Sequence, residues 1–247
     1  MHNIELENIV NKKLNSNTIK DYIPNGLQVE GRSEVKRILT GVTACQSLLD
    51  YALQYDVDAI IVHHGFFWKN ETPLIHGMKR RRLKTLLKND INLYAWHLPL
   101  DIHPELGNNA QLAATLDISI IGNLDALVPY GRLATPLSGT DLYSRLRKKL
   151  GYSVLHCGDN APDLITSLAW CTGDGQKFID IAAKSGMDAF IAGSVSEQTI
   201  HSAREQGLHF YAAGHHATEC GGVRALGEWL SQQHNIDVIF IDVPNPA

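Results

Sequence analysis

Three short clusters in the sequence combine residue types suited to holding a metal ion. They are His63-His64-Gly65 in "DAIIVHHGFFW", His97-x-x-x-Asp101 in "AWHLPLD", and His215-His216-x-x-Glu219 in "GHHATE". Each follows an apolar run fit for a buried strand, and in open α/β sheets ligands bind beyond the carboxyl ends of the strands. Imidazole and carboxylate together suit a first-row divalent ion such as zinc, manganese, iron or nickel. One closed tetrahedral site takes about four donors. These clusters offer more, two carboxylates among them, and a carboxylate can bridge two ions. A pair of metals ~3.5–4 Å apart is therefore the natural fit. The adjacent histidines pose a geometric question, because neighbouring side chains on a strand point to opposite faces. Either one of the two is incidental, or the strand ends near His63, the chain turns at Gly65, and both are used. Any one of these histidines taken alone reads as a hydrogen-bonded structural residue.

The elements that must position these clusters alternate between helix and strand, the pattern of an α/β protein. "MHNIELENIVNKKLN" reads as an amphipathic helix, and Asn25-Gly26 in "PNGLQVEG" suits a tight turn into a short strand. Residues 35–43 form a strand candidate, residues 45–56 show helical spacing, and "DAIIVHH" is a buried strand. A basic helix, "MKRRRLKTLLKND", precedes the strand "INLYAWH". Met78, Leu83, Leu86 and Leu87 are its apolar side, while Lys79, Arg80, Arg81, Arg82 and Lys84 either sit in solvent or neutralise phosphates. Pro99 makes "HLPLD" read as a loop. "NNAQLAATLD" reads as a helix with Asn108 or Asn109 as its cap. In the third cluster, His215 is expected in an incoming loop, with Glu219 in or near the first turn of a helix. The Pro- and Gly-richer stretch 127–139 reads as a junction.

Beyond that junction the sequence repeats. "CQSLLDYALQYDVDAII" aligns with "GQKFIDIAAKSGMDAFI" at a constant offset, which matches Gln46 with Gln176, Asp50 with Asp180, Ala52 with Ala182, Asp58 with Asp188, Ala59 with Ala189 and Ile61 with Ile191. Tyr94-Ala95 then matches Tyr211-Ala212, and with one residue inserted His97 and Asp101 fall on His215 and Glu219. The positions matching His63 and His64 are Gly193 and Ser194, so only the first copy carries the pair. "VHHG" is thus expected to be half of a site that the second half of the chain completes.

Composition sets the outer bounds. A formal charge of −4 over 247 residues argues against a nucleic-acid binder held by bulk electrostatics. No apolar run approaches the ~18–20 residues of a membrane helix, and the first helix lacks the apolar core of a signal peptide. The four cysteines are scattered without C-x-x-C spacing, which points to cytosolic thiols and a cytoplasmic location.

"PNGLQVEG", "VHHGFFW", "HLPLD" and "GHHATE", in this order and spacing, resemble the NGG-interacting-factor family. Its bacterial members are often named GTP cyclohydrolase 1 type 2 homologues, and the likeness is closest to the short YbgI-like bacterial branch. The resemblance implies two related α/β domains with mixed sheets flanked by helices, a dinuclear metal site, and a ring-shaped homohexamer. With the junction read as above, residues 1–126 plus 213–247 make the metal-site domain and 127–212 the second. Carried over by motif, His63, His64, Asp101, His215 and Glu219 are the metal ligands. His97 stands beside the metals or serves as an occasional ligand, and His216 faces away. Two positions depart from the family pattern: Thr43-Ala44 and Ser194 stand where acidic residues are common. The implied chemistry is metal-dependent hydrolysis on a nucleotide-like substrate, with His97 moving protons. The alternative is a non-catalytic ring, either a metal-binding scaffold or a nucleic-acid-binding module.

Overall fold

A computed structural model describes residues 1–247, which fall into two compact units: Met1–Gly107 with Gly222–Val243, and Asn108–Gly221 with Pro244–Ala247. In chain order the first unit holds α1 (Asn3–Leu14), β1 (Gly26–Val29), β2 (Arg37–Thr43), α2 (Gln46–Gln54), β3 (Ala59–His64), α3 (Gly77–Lys88), β4 (Asn92–Ala95) and α4 (Leu98–Ile102). The second holds α5 (Asn108–Leu116), β5 (Ile118–Asp125), β6 (Val128–Leu137), α6 (Gly139–Leu150), β7 (Leu155–Cys157), β8 (Ile165–Cys171), α7 (Ile179–Lys184), β9 (Ala189–Ala192), α8 (Glu197–Gln206) and β10 (His209–Ala212). The long helix α9 (His215–His234) begins in the second unit, and β11 (Asp237–Phe240) belongs to the first.

The first unit is a five-stranded sheet in the order β1-β4-β3-β2-β11. All pairings are parallel except β1 with β4. A central parallel strand is covered on both faces and must be apolar throughout, which is what "AIIV" supplies: Ala59 to Val62 are all fully buried. Leu39, Leu48, Leu49, Ile60, Val62, Leu86 and Leu93 make up much of one core cluster of this unit. The second unit is a six-stranded sheet in the order β5-β6-β8-β9-β10-β7, parallel across β8, β9 and β10 and antiparallel elsewhere.

The sequence repeat is a structural repeat down to individual hydrogen bonds. In the first unit Gly41 lies opposite Val62, and in the second Cys171 lies opposite Ala192, the corresponding pair. Tyr94 is paired with Ile61 as Tyr211 is with Ile191, and both tyrosines are fully buried. Asp58 Oδ2 accepts the amides of Lys36 and Arg37 at 2.8 and 2.9 Å, and Asp188 Oδ2 accepts those of Thr166 and Ser167 at 2.9 and 2.8 Å. Amphipathic patterning alone does not reproduce a carboxylate clamping the same two amides in both copies.

Several local expectations need correction. The stretch 127–139 is not a junction: most of it is β6, paired on both sides. Its prolines sit beside irregularities of the ladder, near the shift between Asn123 and Asp125 and in the gap between Arg132 and Leu137, where a missing N–H costs little. The compact units divide at Gly107/Asn108 and Gly221/Gly222. Leu112, Ala113, Leu116 and Ile118 pack with Leu142, Leu168 and Trp170, so α5 and β5 belong to the second core. "HLPLD" is helical from Leu98, because proline is tolerated in a first turn, whose amides lack intrahelical acceptors. His215 is the first residue of α9 and not part of a preceding loop. In α3 only Leu83 and Leu86 are buried, while Met78 and Leu87 are exposed.

Removing the Asp188 clamp strands two amides at the start of β8. Asp188→Ala is expected to cost about 1–3 kcal/mol, read as a lower urea midpoint, and Asp188→Asn less, since its amide oxygen still accepts. Equal midpoints for wild type and Asp188→Ala would remove the clamp's assigned role.

Candidate metal centre

Strand β3 ends at His64, where "DAIIVHH" ends, so both histidines lie on it: Thr43 of β2 is opposite His64. Their ring centroids are nevertheless only 4.5 Å apart. The rings of His63 and His97 are 5.0 Å apart, and one nitrogen from each of His63, His64 and His97 lies within 4.8 Å of the others. Alternation along the strand therefore does not keep the two rings apart.

His63 is fully buried, with Nδ1 3.1 Å from the carbonyl oxygen of Trp96. A carbonyl can only accept, so Nδ1 carries the hydrogen and the neutral ring keeps its lone pair on Nε2. That lone pair faces Asp101 Oδ1 at 3.5 Å. Two electron-rich atoms held this way repel unless a proton or a cation stands between them. Asp101 is buried in α4, whose first turn starts from the His97 carbonyl: the amides of Leu100 and Asp101 donate to it at 2.8 and 3.1 Å. His64 is half-buried, and its Nδ1 is 3.4 Å from Thr43 Oγ1.

His97 is held differently. Its Nδ1 donates to Asp21 Oδ1 at 3.1 Å, its Nε2 lies 3.4 Å from the Tyr22 hydroxyl, and its amide donates to Asn25 Oδ1 at 2.7 Å. Asp21 also accepts the amide of Leu98 at 2.9 Å and the Asn25 side chain at 3.0 Å. Burial alone would raise the Asp21 pKa, but the bonds from His97 and Asn25, the charge of the imidazole and the Leu98 amide outweigh it and hold the carboxyl at about 2. Tyr22 and Trp68 close around the ring of His97, with centroids at 5.0 and 5.6 Å.

The two motifs flanking this cluster are joined by Gln28. Its Oε1 accepts the Phe66 amide at 2.7 Å, and its Nε2 donates to the Pro24 carbonyl at 2.8 Å. A Cβ on Gly65 would collide with Gln28 Oε1 and with Ala95 Cβ, so glycine is required directly after the histidine pair.

In the second unit Gly214, at φ +92°, turns the chain from β10 into α9. His215 and Glu219 then lie one turn apart on the same face of the helix, with Nε2 and Oε2 at 3.3 Å. Glu219 is buried, and His215 Nδ1 lies 3.1 Å from Ser194 Oγ. Gly173, at φ +63°, makes room for this pair, because a Cβ there would overlap Glu219 Oε1 and lie 3.2 Å from His215 Nε2. His216 is rotated by about 100° around the helix from His215. Thr43 and Ser194, the two positions that depart from acidic residues, thus have a shared role: each puts a hydroxyl beside Nδ1 of a candidate ligand histidine.

Both units therefore hold buried groups of His with Asp or Glu that could bind metal, and the donor chemistry fits divalent ions. Residue patterns did not reveal Asp21, Tyr22, Trp68 or Gly173, and for Asn25 and Gln28 they suggested only a turn and a strand. The one signal for Asp21 was an acid four residues before Asn25, too common to single out.

A profile of the family described as Duf34/NIF3 (NGG1p interacting factor 3) matches residues 1–246. Proteins named GTP cyclohydrolase 1 type 2 homolog from Escherichia coli strain K12 and Salmonella typhimurium strain LT2 are 64% and 65% identical over 247 residues, covering the whole of both chains. Among solved structures, protein ybgI superposes with a TM-score of 0.99 at 64% identity, again over all of both chains. A protein from Thermus thermophilus gives a TM-score of 0.91 at 33% identity with full coverage of both.

The Asp21 carboxyl provides a direct check on the His97 geometry. Followed by carbon NMR, Asp21 is expected to titrate near the value of about 2 set by its partners. In His97→Ala its midpoint should rise, because burial then acts with less opposition. Since the folded pKa is depressed, the stability it contributes is present above about pH 4 and is lost as pH falls through about 2. An unmoved midpoint in His97→Ala would refute the pairing.

Proposed function

The chain belongs to the Duf34/NIF3 (NGG1p interacting factor 3) family, and on that premise we propose that it is a metal-dependent hydrolase acting on a nucleotide-like substrate. The proposed ligands to two divalent cations are His63, His64 and Asp101 from the first unit, with His215 and Glu219 from the second. The observation that carries the reading is His63: its Nδ1 is committed to the Trp96 carbonyl while Nε2 faces the Asp101 carboxylate at 3.5 Å. A proton or a cation relieves that arrangement, and the nitrogen it presents is the one that binds a metal. His215 and Glu219 repeat the imidazole–carboxylate pairing at 3.3 Å.

Divalent cations supply Lewis acidity near neutral pH. The remaining chemistry falls to residues of the chain. His97 receives or releases the proton at Nε2, because Asp21 holds Nδ1–H at 3.1 Å and so fixes the ring's orientation. Tyr22 and Trp68 pack on that ring, keep it oriented and shield one side from water. The nucleotide-like substrate follows from the shared name of the relatives, and the ring-shaped homohexamer from the family resemblance.

Metal analysis of purified protein is expected to give about two divalent ions per chain, with hydrolysis of a member of a nucleotide panel once the metal is restored. His64→Ala should lower the metal content and abolish turnover while leaving the circular dichroism spectrum intact. His97→Gln should keep the metal and lose turnover. A protein with full metal that turns over neither nucleotides nor phosphodiesters, and that unfolds on chelation, is instead a scaffold held together by its metals.

A further inference from the structure

The basic helix α3 has no part in the metal reading, yet it lines a cavity that Trp68 separates from the histidine cluster. This cavity, about 540 Å³ in volume, lies between the loop after β3 and α3, with Tyr22, Phe66, Trp68, Lys69, Met78 and Arg82 among its walls. A second cavity of about 510 Å³ shares Tyr22 and Lys69 and adds Lys20 and Asp21. Both volumes suit a small molecule. Trp68 stands between the first cavity and the cluster, its ring 5.6 Å from those of both His64 and His97 and 6.2 Å from Tyr22. The Tyr22 ring is 53% exposed, an aromatic face open to a ligand.

The charges in the pocket are unbalanced. Glu71 is occupied: it accepts the Phe67 amide at 2.9 Å and pairs with Lys79 at 3.4 Å. Arg82, in contrast, has a buried Nε with no hydrogen-bond acceptor. A buried donor left in this way costs stability unless something supplies the acceptor. Arg82 and Lys69 line the cavity beside a Glu71 whose charge is already taken by Lys79.

We propose that this pocket binds a mononucleotide, its heterocycle against Trp68 and Tyr22 beside the histidine cluster and its phosphate on Arg82 and Lys69. Base stacking on aromatic rings and a guanidinium fork on a phosphate are the chemistries these side chains offer. The orientation puts the heterocycle on the Trp68 side of the pocket, toward the histidine cluster, and the phosphate on the α3 side. This assignment rests on the hydrolase reading for its meaning as a substrate subsite, but binding can be tested without turnover.

Calorimetric titration of the purified, metal-containing protein with GMP, guanosine, inorganic phosphate and a single-stranded oligonucleotide separates the possibilities. GMP is expected to bind about ten- to a hundredfold more tightly than guanosine or phosphate alone. Arg82→Gln and Lys69→Gln should remove most of that advantage and leave guanosine binding and metal content unchanged. Trp68→Leu should weaken both GMP and guanosine, and Arg81→Gln, on the same helix but outside the cavity, should change neither. Equal affinity for GMP and guanosine would overturn the phosphate subsite, as would equal losses from Arg81→Gln and Arg82→Gln. Phosphate binding as tightly as GMP would overturn the aromatic half, and an oligonucleotide displacing GMP at lower concentration would overturn the free mononucleotide. Metal content of the same samples keeps the two readings apart. An Arg82-dependent GMP site in protein without metal leaves the pocket standing and removes the hydrolase.

Discussion

An imidazole gives a metal only one of its two nitrogens, and the partner of the other nitrogen decides which one. In this chain that partner is fixed by the fold. The Trp96 carbonyl comes from the end of β4, and it meets His63 because β3 and β4 run parallel in a single register. Thr43 reaches His64 because it is the last residue of β2, the neighbour of β3 on the other side. The buried apolar run that makes β3 a central strand thus also delivers the two rings, each already oriented by an adjoining strand. In the second unit Ser194, just beyond β9, does the same for His215. Carbonyl and hydroxyl partners differ: the carbonyl at His63 dictates one tautomer, while the hydroxyls at His64 and His215 can donate or accept.

The repeat explains why the two units resemble each other in architecture and differ in chemistry. Asp58 and Asp188 clamp corresponding amides, and the tyrosine of the third parallel strand is buried in both. These features hold a strand–helix–strand–helix–strand frame together and impose nothing on the residues beyond its strand ends. At those ends the copies diverge. The first has His63 and His64, the second Gly193 and Ser194, and in the second His215 and Glu219 come from the start of α9, after β10.

Much of this was legible in the sequence, for reasons visible in particular residues. "AIIV" ahead of the histidines could only be a covered strand, and the constant offset between Asp58 and Asp188 disclosed the duplication. Sequence and structure part where a residue's position in its element overrides its usual preference. Pro99 suggested a loop but lies in a first turn, and Pro129 and Pro136 suggested a junction but sit at irregular points of β6. The polar frame around His97 was invisible because Asp21, Tyr22 and Asn25 meet it from more than seventy residues away in sequence. No periodicity encodes such contacts, since they depend on where a loop lies once the sheet has formed.

That loop has a consequence of its own. The short helix α4 carries Asp101 but has no cap among its own neighbours; the amide of its first residue, Leu98, is satisfied by Asp21. The same carboxylate holds His97 and Asn25, and Asn25 holds the His97 backbone. Asp101 therefore keeps its place through a segment that contains none of the candidate ligands. A proteolytic nick between Asp21 and Asn25 would leave every proposed metal-binding side chain in the protein and still uncap the helix that presents one of them.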